Sequence, residues 1–356
     1  MLKNKFSIVL VLFFQLCSWS VCAQTDDSTQ LSVKRIKVLP VPTFGYEPET
    51  KTHVGAVCLF TINLHNDSLT RQSNAKLELN YTFRNQMIIE SEWNYFSKKE
   101  KWYSDGVLHV SYYPDFYYGI GPNSNSSGEL LFSTNRLKGD VGLYRNVVKK
   151  LFLGGGIRYY RYSNVASDER IDFGELSDAE NLGVKASLFK DTRNNLLNAT
   201  DGVYALMDVE HNFSALNYWK LGIDLRKYFS NNKGFSLSTR LFNSFILNTP
   251  TFYDYNILGG DDFVRGYFYG RYRDKHLSTL QTEIRTPHIF RFGMAVIGGI
   301  SSLYNAPSML FDTIRPNYGL GLRYLVDKND KINLRLDYVI GSPGNSGFYI
   351  SFGESF

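Results

Sequence analysis

The chain has 356 residues, with 39 lysines and arginines against 34 acids, and its formal charge of +5 is too mild to imply a nucleic-acid partner. Tyrosine (25) and phenylalanine (26) are abundant, glycine reaches 29, and the only long apolar run lies at the very start, which fits neither an ordinary soluble enzyme nor a helical membrane protein. The six histidines are scattered without metal-ligand spacing, so no metal or other cofactor is expected.

Residues 1–23 read as a cleaved signal peptide. Lys3 and Lys5 give a positive start, Phe6 to Leu16 is apolar but too short to span a bilayer as a helix, and Val21, Cys22 and Ala23 precede a cut before Gln24. Acylation of Cys22 fits less well, because Val21 stands where a small residue is wanted and Trp19 where leucine is usual. Cleavage leaves 333 residues (356 − 23), a charge of +3 (37 − 34) and Cys58 as the single cysteine, so no internal disulfide can form. Residues 24–35 read as a short periplasmic tail and 36–356 as the folded domain.

That domain is a chain of alternating segments. In Gly234–Leu247, Phe235, Leu237, Leu241, Phe245 and Leu247 fall on one face, and Ser236, Ser238, Arg240 and Ser244 on the other. In Lys331–Ile340 the apolar Ile332, Leu334, Leu336, Tyr338 and Ile340 oppose Lys331, Asn333, Arg335 and Asp337. Period two over eight to ten residues is a strand with two different faces. Strands are expected near 38–46, 52–63, 74–83, 87–96, 106–114, 134–146, 151–162, 182–190, 202–212, 217–229, 234–247, 276–287, 292–302, 316–326, 331–340 and 346–356. A charged face would be an impossible core for a soluble sandwich but suits a wet lumen, and hydrocarbon admits only helices or closed barrels. The fold class is therefore all-β, a transmembrane antiparallel barrel of about sixteen strands.

Three motifs carry a family resemblance: Asp191-Thr-Arg-Asn-Asn-Leu-Leu-Asn-Ala-Thr-Asp-Gly202 after the eighth strand, Gly259-Gly-Asp-Asp-Phe-Val-Arg-Gly-Tyr267 after the eleventh, and Leu334-Arg-Leu-Asp-Tyr338 followed by Gly347-Phe-Tyr-Ile-Ser-Phe-Gly-Glu-Ser-Phe356. Together they resemble the BamA/TamA-type outer-membrane barrels, the bacterial surface antigen family, from about Val38 to Phe356. Ala199 stands where that family often has proline, and no periplasmic POTRA module is expected, since about a dozen residues separate Gln24 from the first strand.

The resemblance implies that the loop bearing Val264, Arg265, Gly266 and Tyr267 folds back into the barrel, its guanidinium meeting acids on the inner wall. Parity independently turns Leu277, Thr279, Gln281, Glu283, Arg285 and Asp337 inward, and Glu283 and Asp337 are the best bidentate partners for Arg265. The surrounding connection, about 248–275, is expected outside the cell. Asp261 and Asp262 read as loop structure. Phe348, Ile350, Phe352 and Phe356 resemble the terminal-strand signal read by the barrel-assembly machinery, with Phe356 ending the last strand. Pro40 and Pro42 withdraw two donors from one edge of the first strand; they either weaken the closing seam or precede the paired region.

No catalytic residue is expected. His109 and Ser111 share the lumen face of one strand, but no third orienting residue can be assigned, and no Gly-x-Ser-x-Gly elbow exists. Protein insertion or translocation at the outer membrane is the leading function, ahead of a POTRA-less pore or structural, anchoring barrel, with an outer-membrane enzyme ranked last. The expected partners are outer-membrane lipid and lipopolysaccharide, the assembly machinery during biogenesis, and a separate periplasmic protein.

Overall fold

A computed structural model describes residues 36–47, 51–64, 70–121, 130–167, 176–261, 263–342 and 344–356. The expected signal peptide and tail, together with Asp262, lie outside the described residues.

The strands in chain order are β1 (Ile36–Glu47), β2 (Lys51–Ile62), β3 (Ser73–Thr82), β4 (Met87–Phe96), β5 (Trp102–Tyr117), β6 (Leu130–Val148), β7 (Leu151–Ser167), β8 (Ala179–Asp191), β9 (Gly202–Phe213), β10 (Tyr218–Ser230), β11 (Ser236–Leu247), β12 (Asn256–Leu258), β13 (Tyr272–Asp274), β14 (His276–Arg285), β15 (Phe292–Tyr304), β16 (Ile314–Asp327), β17 (Ile332–Ile340) and β18 (Ser346–Phe352). Sixteen form one sheet in which each strand pairs with the next, running from β1 to β11 and on through β14 to β18. β12 and β13 make a separate antiparallel ribbon inside the long connection from β11 to β14. Cα atoms of β1 and β18 come within 8 Å of each other, so the sheet curls round until its two edges meet. The all-β barrel of sixteen strands read from the sequence is the architecture observed.

Parity decides which side each residue takes. On β11 Leu237, Leu241 and Leu247 are exposed while Ser236, Ser238, Arg240 and Ser244 are buried. On β14 Leu280 and Ile284 are exposed while Leu277, Thr279, Gln281, Glu283 and Arg285 are buried. Apolar residues outside and charges inside invert the soluble pattern, as a barrel in lipid requires. Among the described residues no helix is long and apolar enough to cross a membrane.

The connection from β11 to β14 folds inward at Val264–Tyr267, and the inward part is longer than that motif: Phe252, Tyr253 and Asp254 in a short 3-10 turn, Leu258, Val264 to Tyr267, and all of Tyr272–Asp274 are buried. The reason is that its side chains find partners on the inner wall. Tyr253 stacks on Tyr162 of β7 with centroids 4.0 Å apart and planes 8° apart. Asp254 accepts from Asn181 at 2.7 Å and meets Arg158 at 3.5 Å. The Arg273 guanidinium sits 4.5 Å over the Phe252 ring.

The opposite mouth is crossed by the turn between β8 and β9. Asn195 Oδ1 accepts the amides of Leu197 and Asn198 at 2.7 and 3.0 Å, and Leu197 packs against Val57, Leu59 and Ile332. Ala199 is buried, and its carbonyl accepts from Arg285 at 3.0 Å.

Candidate functional site

The site is a buried charge cluster where the inward connection meets the wall formed by β14, β16, β17 and the segment after β18. Arg265 Nη2 donates to Glu283 at 2.8 Å, and Nη1 donates to Asp337. The strands place these acids because Glu283 and Asp337 hold inward parity positions on β14 and β17. Arg323 of β16 binds the same pair, with Nη2 to Glu283 at 2.8 Å and Nη1 to Asp337 at 2.6 Å. Arg285 reaches Glu283 at 2.9 Å, and Arg335 reaches Asp337 at 3.2 Å and Asp261 at 2.8 Å. Glu354 accepts from Arg323 at 2.9 Å and from Asn333 at 2.7 Å.

Four arginines (265, 285, 323, 335) thus face four carboxylates (261, 283, 337, 354), a balance of zero. Isolated buried charges are prohibitive, whereas paired and hydrogen-bonded ones are tolerated. Burial by itself lowers the pKa of the Arg265 guanidinium, but Glu283 and Asp337 more than offset this, and the net shift is upward.

Two glycines make room for the cluster. Gly321 lies opposite Asp337, and a Cβ there would stand 2.0 Å from the Asp337 carboxylate. Gly266 has φ +96, and a Cβ on it would sit 3.0 Å from Val339. Its amide donates to the Tyr349 hydroxyl of β18 at 2.9 Å. The Arg265 carbonyl accepts from Asn317 at 2.9 Å. Tyr267 contacts the Pro316 carbonyl and Ser342, the latter at 2.9 Å. Val264 and Tyr267 pack with Leu258, Tyr272, Leu277 and Leu303. The arrangement holds a loop rigidly across the lumen; it presents no nucleophile and no ligand set.

Val264, Arg265, Gly266, Tyr267, Glu283 and Asp337 are therefore brought together. The terminal aromatics are not. Phe348 is exposed, and Ile350 and Phe352 follow on the same parity, half-buried, but β18 stops at Phe352 and Phe356 does not continue it. The backbone turns at Gly353 (φ +81), the Glu354 amide donates to Leu197 at 2.8 Å, and Phe356 is buried with its carbonyl accepting from Arg285 at 3.3 Å. Attraction of Glu354 to Arg323 outweighs extension of the strand.

Pro40 and Pro42 sit inside β1, exposed on its outer face and paired in register with Cys58 and Ala56, so they do not precede the paired region. An antiparallel ladder needs donating amides at every second residue. Prolines cannot be that set, so Leu39, Val41 and Thr43 face β2, and the two donor-less positions face the edge toward β18.

Sequence reasoning missed Arg323 and Asp261 as members of the cluster, and it left Glu354 in an extended strand. Alternation in Tyr318–Val326 would have turned Arg323 inward, and Gly353 is the local signal for the final turn.

A family model described as the Omp85 superfamily domain matches residues 59–356. Among solved structures, BamA from Haemophilus ducreyi lacking POTRA domains 1–3 is similar at 12% identity and TM-score 0.55, with 89% of this chain and 69% of that one covered. CdiB from Acinetobacter baumannii is similar at 12% identity and TM-score 0.59, covering 89% of this chain and 60% of CdiB. At that identity the likeness is one of fold. No curated protein matches in sequence. A barrel of sixteen strands, a Val-Arg-Gly-Tyr loop inside it and a family match over most of its length lead to one assignment: the chain belongs to the Omp85 superfamily, whose β-barrels are outer-membrane proteins.

Proposed function

We propose that this barrel inserts or translocates protein at the outer membrane, acting without chemistry through the seam between β1 and β18. The observation that carries the reading is the edge of β1. Pro40 and Pro42 withhold two amide donors from the side that faces β18. β1 and β18 approach within 8 Å but are the two ends of the strand order, and each backbone hydrogen bond that a proline forbids there would contribute about 0.5–1.5 kcal/mol net. The plugged lumen supports the same reading, because a connection anchored on two walls leaves little of an open pore.

In this reading the outward face of β18, with Phe348, Ile350 and Phe352, is the signal read by the assembly machinery, and the exposed apolar band meets lipid and lipopolysaccharide. A separate periplasmic protein delivers clients. The test is a disulfide across the seam, with Val38→Cys paired against cysteines at Phe348, Ile350 or Phe352 on a Cys58→Ser background. Proteoliposomes carrying the oxidised barrel should lose the ability to accelerate folding of a urea-denatured outer-membrane barrel, and reduction should restore it. A crosslinked barrel that stays fully active would refute opening of the seam, and a barrel inactive in both the oxidised and reduced states would support a pore or structural, anchoring role instead.

A further inference from the structure

The inner wall carries a second constellation, well away from the charge cluster. On β5, His109 and Ser111 are two residues apart and share the inward face, and Glu90 of β4 lies directly opposite His109. His109 Nδ1 is 2.8 Å from Glu90 Oε2, and its Nε2 is 2.9 Å from Ser111 Oγ. A hydroxyl, an imidazole and a carboxylate in hydrogen-bonded series are the parts of an activated nucleophile, recognised by geometry and roles and not by order in the chain. Glu90 supplies the orienting residue that the sequence left unassigned. Lys76 lies 3.6 Å from Glu90, and in the tautomer whose Nδ1 donates to Glu90 the other ring nitrogen, Nε2, accepts from Ser111.

The neighbouring strand adds two cations. Arg136 lies opposite Ser111, and Lys138 opposite His109. Arg136 Nη2 donates to Asp115 at 2.8 Å, but its buried Nε has no hydrogen-bond partner among the described residues. A buried donor left unpaired is costly, and an oxyanion developing beside Ser111 would satisfy it. Lys138 also lines a chamber of about 260 Å³ with Arg158, Lys220, Tyr160, Tyr162 and Asp254. Three cations against Asp254 and the Glu210 that pairs with Arg158 at 3.0 Å leave a surplus of one positive charge (3 − 2), and no carboxylate lies within ion-pair reach of Lys138 or Lys220 among the described residues.

We propose that Ser111, His109 and Glu90 form a hydrolytic triad acting on carboxylic esters that carry an anionic group and enter the lumen from water. The inward parity excludes acyl esters of lipids lying in the surrounding bilayer. Ser111 Oγ attacks the ester carbonyl while its proton passes to His109 Nε2, and Glu90 stabilises the imidazolium. The tetrahedral adduct collapses, the C–O bond breaks, and the alcohol leaves with the proton from His109. Water, deprotonated by His109, then attacks the acyl-serine, releasing the carboxylic acid and restoring Ser111. No co-reactant besides water is required.

The test uses the purified full-length barrel in detergent, its folding verified by heat-modifiable mobility. A fluorophosphonate probe should form an adduct that mass spectrometry places on Ser111, and labelling should slow by about 10²-fold or more in His109→Asn, the contribution of a general base. Glu90→Gln should slow it by about tenfold or more, since the base then loses its orienting charge. Mono-p-nitrophenyl succinate should be hydrolysed faster than p-nitrophenyl acetate, with the preference lost in Lys138→Met. If a variant does not fold, the wild-type barrel alone decides: an adduct on Ser111 whose formation mono-p-nitrophenyl succinate slows by competition supports the triad. Absence of an adduct on Ser111 in folded barrel, or labelling unchanged in folded His109→Asn, overturns it. Equal rates for the two esters overturn the anionic assignment.

Discussion

Arg265→Ala separates what holds the loop from what holds the barrel. The substitution deletes the bonds to Glu283 and Asp337 and takes the cluster from zero to −1. Breaking a buried pair by removing one partner costs about 3–5 kcal/mol when the site is dry. Here Glu283 keeps Arg285 and Arg323, and Asp337 keeps Arg323 and Arg335, so the lower part of that range applies. About 3 kcal/mol shifts loop docking by roughly 10²-fold. The strand ladders do not include Arg265, so heat-modifiability should stay near wild type. Trypsin reports the docking directly, because Arg271, Arg273 and Lys275 are cleavage sites within the same connection, Arg273 buried and the other two half-buried. Cleavage there should accelerate by up to that factor. Lysine at 265 should rescue poorly, since it lacks the two-pronged geometry. Unchanged cleavage, or coupling energies of zero in double-mutant cycles of Arg265 with Glu283 and Asp337, would refute the argument.

Three further outcomes follow from the same geometry. In intact cells, on a Cys58→Ser background, a cysteine at exposed Asn248 should react with a membrane-impermeant maleimide, while cysteines at buried Asp274 and at Asn231 on the opposite end should not; labelling at Asn231 would invert the topology. Deleting Phe356 should slow insertion and leave the chain to periplasmic proteases, whereas wild-type amounts of heat-modifiable barrel would reject a signal role for the terminal segment. Lys37→Ala should raise seam opening, read as faster disulfide formation between β1 and β18 cysteines, and an unchanged rate would mean that Lys37 does not restrain β1.

The barrel was legible because lipid and lumen impose opposite chemistries on alternate residues, and segments such as 234–247 and 331–340 carry that contrast without interruption. The same parity located Glu283 and Asp337, and a family resemblance located Arg265. What escaped were the places where the chain leaves its period. Phe356 continues the alternation of Phe348, Ile350 and Phe352 on paper, yet Gly353 and the pull of Arg323 on Glu354 turn it inside. Asp274 belongs to a segment long and polar enough to suit solvent, but the stacking of Tyr253 on Tyr162 and the anchoring of Asp254 draw that segment in. Glu90 could not be joined to His109 from sequence, because cross-strand register between β4 and β5 depends on the turn that links them.

The two strands of the seam are held by unequal means. β18 is tied to the interior: Tyr349 accepts from the Gly266 amide, and the segment beyond it carries Glu354 into the arginine cluster. Those contacts are dry, and disturbing them exposes unpaired buried groups. β1 is held at its base by Lys37, which bridges Asp327 and, at 2.9 Å, Asp330. The Lys37 side chain is 39% exposed, so water screens the bridge and its worth falls to about 0–1 kcal/mol. The prolines remove donors from the same strand. Parting β1 from β18, the two ends of the strand order, therefore breaks one screened bridge and the packing of Leu39 against Val57, Leu59 and Ile332, whereas displacing β18 unseats the plug. A seam opened from the β1 side leaves Arg265, Glu283 and Asp337 in place, so the lumen stays closed while the wall parts toward lipid.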